Sequence, residues 1–272
     1  MPQGNINQLA NSLSDIPNSK FVKEFSIITL VNNIVMYNEM LKTFSTSGFV
    51  ESNSEFIYID NTEHNHNEAY SSLNQAIIAS KGRYIILCHQ DVRIIFDSIR
   101  DLKQRISEIN KVDPDWAVLG NAGGGFNLTE IYLRITDPSG YNMHIGKLPS
   151  KVASLDENFL VLNSNCNPYF SKDLRGFHFY GTDICQQAYY KGLNCYVINF
   201  HIQHLSSGNK DAAYYNAKKT FIKSYKTKLK PRFIRTTTCR LYISASVIKN
   251  FIFNSLLIQK IIRTFNLNKS RK

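Results

Sequence analysis

Apolar residues in the first half of the chain fall into short, unbroken, β-branched runs, each ending on a polar residue. Phe25–Val31 runs into Asn32-Asn33, Glu55–Asp60 into Asn61, Arg83–Cys88 into His89-Gln90-Asp91, and Trp116–Gly120 into Asn121. Apolar runs without strict alternation are characteristic of strands covered on both faces. Between them, Met36–Phe44, Asn67–Ser80 and Phe96–Ile109 repeat their apolar positions at helical spacing, and Lys81-Gly82 closes the second as a C-cap. This rhythm predicts an α/β fold whose mainly parallel sheet is flanked by helices. Ligands of such sheets collect outside the carboxyl ends of the strands. Those ends here carry Asn32, Asp60, Asp91 and Asn121.

The second half is less regular. Val152–Asn163 and Asn194–Phe200 read as strands, and Gly181–Lys191 as a helix capped by Gly192. Gly208–Lys226 continues as helix, Pro231 breaks the chain, and Cys239–Phe265 is an apolar-basic helical stretch. The Asn121-Ala-Gly-Gly-Gly125 segment has neither the Lys-Ser/Thr of a P-loop nor dinucleotide spacing, and reads as a flexible loop beside a substrate or a plain turn. Trp116 reads as core.

Composition narrows the class. With 272 residues, 43% hydrophobic and 19% charged, the chain can bury a large core. Five scattered cysteines without a CxxC pair suit a reducing compartment. The polar segment Met1–Ser19 lacks a secretory pattern, and no run of about 18 apolar residues suggests a membrane span, so a cytoplasmic location is expected. Charge is lopsided. Of 32 basic residues, 15 lie between Lys218 and Lys272, beyond the last acidic residue, Asp211; the other 17 face all 21 acidic residues. A basic tail on a mildly acidic body reads as a docking element for an anionic surface.

The candidate chemistry begins at His89-Gln90-Asp91. Imidazole and carboxylate at i and i+2, in a turn after a buried strand, can face one cation, and this mixed donor set suits Mn²⁺ better than Mg²⁺. The same residues could be a polar strand end with a capping Asp. A third ligand from a distant strand end would close the site, and His201 and His204 both follow the run Cys195–Phe200. Asp183 falls near the start of a helix, where a carboxylate can also serve as a first-turn residue.

In this order, the segments resemble the family 2-like GT-A glycosyltransferases, in particular a bacterial branch of capsule and lipopolysaccharide (O-antigen) synthesis. The resemblance spans about 25–208 and rests on Phe25–Val31, Phe56–Asn61, Leu73–Leu87, His89–Val92, Leu155–Glu157, Tyr180–Asp183 and His204–Gly208. It implies a GT-A (Rossmann-like) fold and an inverting hexosyltransferase that moves a sugar from a nucleotide-sugar, UDP-linked by expectation, to a glycan or lipid-linked acceptor. By position it places Asp60 and Asn32 at the nucleoside, Asn74 and Lys81 along the donor site, and His89, Gln90 and Asp91 where the family keeps its DxD. Asp91, His204 and His89 become the metal set for Mn²⁺ (or Mg²⁺), with His201 as the alternative to His204. Asp183 takes the general-base position, and Asp156, Glu157 and Tyr180 the acceptor side. His89 departs from the family's first Asp.

The expected domains are an N-terminal segment 1–22 and a catalytic domain 23–215, with a nucleotide-sugar half to about 125 and an acceptor half from 126. A basic helical extension, 216–272, follows. Its apolar face with a basic rim matches an interfacial helix on the inner membrane surface, at roughly 1 kcal/mol per basic side chain near anionic lipid; a helix packed on the domain would show the same pattern. Nucleic acid is a poorer partner, since no recognition motif accompanies the charge. The alternatives are a noncatalytic nucleotide-binding or scaffolding module of the same fold and, more remotely, a nucleotidyltransferase.

Overall fold

The fold is given by a computed structural model that describes residues 21–206, 208 and 210–264. The first twenty residues of the expected N-terminal segment lie outside it, as do Phe265 and the last basic residues of the tail. The chain divides into two compact units, Met1–Ala217 and Lys218–Lys272. Among the described residues, no helix is long and apolar enough to cross a membrane.

The first unit opens with β1 (Lys23–Val31), α1 (Ile34–Thr46), β2 (Ser54–Asp60), α2 (Ala69–Ala79) and β3 (Gly82–Cys88). Then come β4 (Val92–Arg93), α3 (Ile99–Val112), β5 (Trp116–Gly120), β6 (Ala122–Gly124), β7 (Ile131–Thr136) and β8 (Asn142–Ile145). It continues with β9 (Ser150–Lys151), β10 (Ser154–Leu155), β11 (Phe159–Asn163), α4 (Tyr180–Tyr190), β12 (Asn194–Val197) and β13 (Ile202–His204). Helix α5 is Ala212–Lys228.

Seven strands form the main sheet in the order β2-β1-β3-β11-β5-β12-β9. Strands β1, β2, β3, β5 and β12 point one way, while β11 and β9 run against them. The expected α/β class and mainly parallel sheet are therefore present. Register aligns Val31 with Asp60, so β1 and β2 end together, and β3 ends beside them on the other flank of β1. The core lies under this sheet: Phe25, Ile27, Ile86, Val161 and Phe159 pack with Met40 and Phe44 of α1 and with Leu102, Ile106 and Ile109 of α3. The buried face of α3 repeats at i, i+4 and i+7, the spacing that keeps one stripe on a sheet. Trp116 is fully buried, stacks on Tyr84 and donates its indole N–H to Asn110, as read from sequence.

Local chemistry sets the helix starts. The Asn33 side chain accepts from the Val35 and Met36 amides and starts α1 right after β1; Glu68 does the same for α2 through Tyr70 and Ser71. A second sheet, β10-β6-β7-β13-β4 with β8 beside β7, lies at the carboxyl end of β5. It corrects two sequence expectations. The Gly-rich segment is strand β6, held between β10 and β7. A Cβ on Gly123 would lie 2.4 Å from the Ser154 carbonyl oxygen, so glycine serves close strand approach there and not looseness. The run Val152–Asn163 is divided among β10, a turn and β11.

The second unit also departs from expectation. It contains a hairpin, β14 (Arg232–Arg235) and β15 (Arg240–Ile243), followed by α6 (Val247–Asn254) and α7 (Leu256–Thr264). Cys239–Ile243 is thus not helical, and Ser255 separates two short helices where one long one was expected. In the hairpin, Phe233 and Tyr242 face each other across the strands, and both touch Phe253 of α6.

Candidate active site

Three side chains converge where β3 ends. His89 Nδ1 lies 3.4 Å from His204 Nε2 and 3.9 Å from Asp91 Oδ1, and His204 Nε2 lies 3.4 Å from Asp91 Oδ1. His89 and Asp91 are close because the chain turns immediately after β3, with the Val92 amide donating to the His89 carbonyl. His204 arrives by register. The short antiparallel ladder of β4 and β13 sets His204 opposite Val92, and the Leu205 amide donates to the Asp91 carbonyl. Among the described residues this is the only His/Cys/Asp/Glu group gathered tightly enough to hold a metal.

The donors fit such an ion. A point about 2.1 Å from all three ligand atoms exists within their triangle, matching ordinary imidazole and carboxylate bond lengths to a divalent transition metal. Burial alone would raise the Asp91 carboxyl. Hydrogen bonds from His204 and Ser206 and the charges of both histidines instead hold it well below the usual carboxylate range. Burial, opposed by the Asp91 charge, lowers the imidazole of His89. An ionised carboxylate beside a neutral ring is the protonation state a cation needs.

A cleft of about 310 Å³ adjoins the triad, lined by Leu30, Asn32, Asn61, Asn65, Gln90 and Phe177 as well as His89 and Asp91. The strand ends thus bring Asn32, His89, Gln90 and Asp91 into the lining of one cleft. Asp60 ends β2 on the same edge, its carboxylate accepting from the Thr62 amide and hydroxyl, hydrogen bonds that lower its pKa. Gln90 has a scaffolding duty: its Oε1 accepts from the Asn32 and Asn33 amides, pinning the β1–α1 turn that forms one wall.

Other expected site residues are not brought there. Lys81 precedes β3 while His89 follows it, so roughly 25 Å of strand separates them. The Asn74 amide side chain is tied to both backbone groups of Phe170. His201 is fully buried, hydrogen-bonded to Thr136 and stacked edge-on against Phe96; its pKa falls to about 4 through burial and the Arg134 charge. His204, not His201, joins the triad.

Asp183 is placed apart from the residues that line this cleft. Its carboxylate has no solvent exposure; Oδ2 accepts from the Ser171 amide at 2.7 Å and Oδ1 from the Ser171 hydroxyl at 2.6 Å. In this arrangement it ties Ser171 to α4 and is not among the residues that line the cleft. The Asp156-Glu157 turn lies next to His89, whose amide donates to the Asn158 carbonyl. Asp156 is exposed, and its charge acts on His89 and Tyr180. Glu157 is pushed up to about 8 by burial and by Asp156, partly offset by the Phe179, Tyr180 and Gly181 amides at the start of α4. A Cβ on Gly181 would lie 2.5 Å from the Leu155 carbonyl oxygen, so glycine lets α4 seat against this turn.

No protein-family model matches the chain. It is 33% identical over 221 residues to the ATP synthase subunits region ORF 6 protein of Fuscovulum blasticum, a match covering 79% of this chain and 89% of that protein. The chain belongs to the family of that protein. Among solved structures, S. aureus TarS 1–349 in complex with UDP-GlcNAc is similar at a TM-score of 0.49 and 14% identity, covering 75% of this chain and 66% of that one. The longer S. aureus TarS chain gives 0.48 and 14%; this chain covers 40% of its length. A197 from STIV gives 0.42 at 8% identity, with 68% and 86% covered.

Sequence reasoning placed Tyr180 on the acceptor side, but its hydroxyl sits 3.0 Å from His89 Nε2. Ser206, which supports Asp91, was not singled out. Its signal is its position, two residues past His204 in the His-Leu-Ser-Ser-Gly run.

Proposed function

We propose that the chain is a metal-dependent glycosyltransferase that binds a nucleotide-sugar at the carboxyl edge of the β1–β3 sheet and delivers the sugar to an envelope glycan or lipid-linked acceptor. The observation that carries this reading is the His89–Asp91–His204 triad opening onto a polar cleft at the ends of parallel strands. The ordered segments shared with the GT-A glycosyltransferases support it. His89, Asp91 and His204 would hold the ion, with Mn²⁺ favoured over Mg²⁺ by two nitrogen donors. Bound there, a divalent cation supplies Lewis-acid stabilisation to a departing diphosphate.

The chain's own residues do the rest. Asn32 and Asp60 border the nucleoside end, a uridine in this reading, on a wall that Gln90 fixes. An acceptor hydroxyl is a poor nucleophile and needs a carboxylate to take its proton during attack. With Asp183 sealed by Ser171, that role passes to Asp156, the exposed carboxylate beside the triad. One base in line with the leaving group inverts the anomeric centre. A hexosyl donor and the capsule or O-antigen branch follow from the resemblance.

The second unit fits work on a lipid-linked acceptor. Val247, Phe251 and Leu256 of α6 and α7 are 82%, 79% and 90% exposed, amid a chain segment with no acidic residue. Apolar side chains with a basic surround match the interface of an anionic bilayer, at the inner face of the cell membrane.

The test is a sugar-release screen of UDP-, GDP- and TDP-sugars with Mn²⁺. Release from one donor class, lost on chelation, is the expected outcome. The absence of both release and nucleotide-induced thermal stabilisation overturns the reading. Binding without release or transfer would favour the noncatalytic module, which the burial of Asp183 would suit.

A further inference from the structure

His89 is the unusual member of the triad, and its second ring nitrogen explains how it can serve. Nε2 lies 3.0 Å from the Tyr180 hydroxyl, and that hydroxyl donates to the Glu157 carbonyl at 3.3 Å. A carbonyl oxygen can only accept, and a phenol has one proton to give. With that proton directed to Glu157, the Tyr180 oxygen is left to accept from His89 Nε2–H. The neutral ring then has its lone pair on Nδ1, the atom that faces Asp91 and His204.

Two further observations show that Tyr180 is held in place. Its ring is 4% exposed and locked edge-on between Tyr70 and Phe170. The preceding residue, Phe179, sits at φ 68°, a left-handed conformation that a bulky aromatic adopts only under constraint and that directs the first turn of α4.

We propose that Tyr180 is a positioning residue that fixes His89 as the Nε2–H tautomer and thereby makes Nδ1 a metal ligand. This deepens the metal-site reading above and rests on it. Supporting hydrogen bonds of this kind change metal affinity by about 10- to 100-fold.

The experiment measures Mn²⁺ binding by the electron paramagnetic resonance of the free ion, using the full chain and its Tyr180→Phe, His89→Ala and double variants. Phenylalanine keeps the ring packing and removes only the hydroxyl. Mn²⁺ affinity should fall about 10-fold or more in Tyr180→Phe. In the His89→Ala background the same change should have no further effect, a non-additivity that a merely structural tyrosine would not produce. Undiminished affinity in Tyr180→Phe, or additive losses in the double variant, overturns the positioning role and leaves the metal site standing. No Mn²⁺ binding by the wild-type chain overturns both. A second readout needs no variant: the ¹⁵N shifts of His89 in the metal-free wild type should report protonated Nε2 and bare Nδ1, and the opposite tautomer contradicts the proposal.

Discussion

Two aspartates that look equally functional in the sequence meet opposite fates in the fold. Asp91 leaves β3 into an open cleft, where two histidines and Ser206 keep it ionised and a carboxylate oxygen faces His89 and His204. Asp183 enters α4 and turns inward, with Ser171 holding each oxygen and no surface left. Both hold several hydrogen bonds, so bonding alone does not separate a ligand from an anchor. What separates them is whether the partners leave a face toward space that a ligand can enter.

The sharpest way to break this comparison is to remove each carboxylate in turn. Asp91→Ala should abolish Mn²⁺-dependent nucleoside diphosphate binding while shifting the urea midpoint little. Asp183→Asn should do the reverse, destabilising by about 2–3 kcal/mol as an amide replaces a buried acceptor of two hydrogen bonds. Its turnover per folded molecule should fall far less than in Asp156→Asn. A folded Asp183→Asn protein that binds donor normally but has lost all transfer would restore the general-base role to Asp183.

A smaller effect tests the turn between them. Glu157 carries a raised pKa, so the folded state holds a proton the unfolded chain releases at about 4.5. Stability should therefore fall as pH rises from about 4.5 toward about 8, where the folded carboxyl also ionises. Glu157→Gln removes this dependence, and its melting temperature relative to wild type should climb through that window. A constant difference would mean that Glu157 ionises normally.

The smallest expected effect lies in the second unit. Phe251→Ser should weaken binding to vesicles containing anionic lipid by roughly 2 kcal/mol, the worth of one buried aromatic side chain, and leave sugar release from soluble donor unchanged. Equal binding by the variant would remove that side chain from the docking surface.

The strand ends were legible because β1, β3 and β5 are buried on both faces and appear as apolar runs, while the edge strand β2, only partly buried, still carries the apolar run Phe56–Ile59. The strands of the second sheet, two to six residues long, carry no such signal; Ala122–Gly124 looked like a loop because its glycines serve backbone approach. His204 and His201 share a spacing pattern, and only the β4–β13 register distinguishes them. The seal on Asp183 could not be read because Ser171 lies in an irregular segment twelve residues earlier, without periodicity to place it. The hairpin Arg232–Ile243 is hidden because its apolar residues, Phe233-Ile234 and Leu241-Tyr242-Ile243, are adjacent instead of alternating and lead into a basic, apolar stretch that reads as helix.

The most direct test of the central claim is anomalous scattering from crystals of the full chain grown with Mn²⁺ and UDP. The expected result is one strong manganese peak bonded to His89 Nδ1, Asp91 Oδ1 and His204 Nε2, with the diphosphate completing its coordination. A manganese ion bound elsewhere, or an ordered UDP with no metal at the triad, would contradict it.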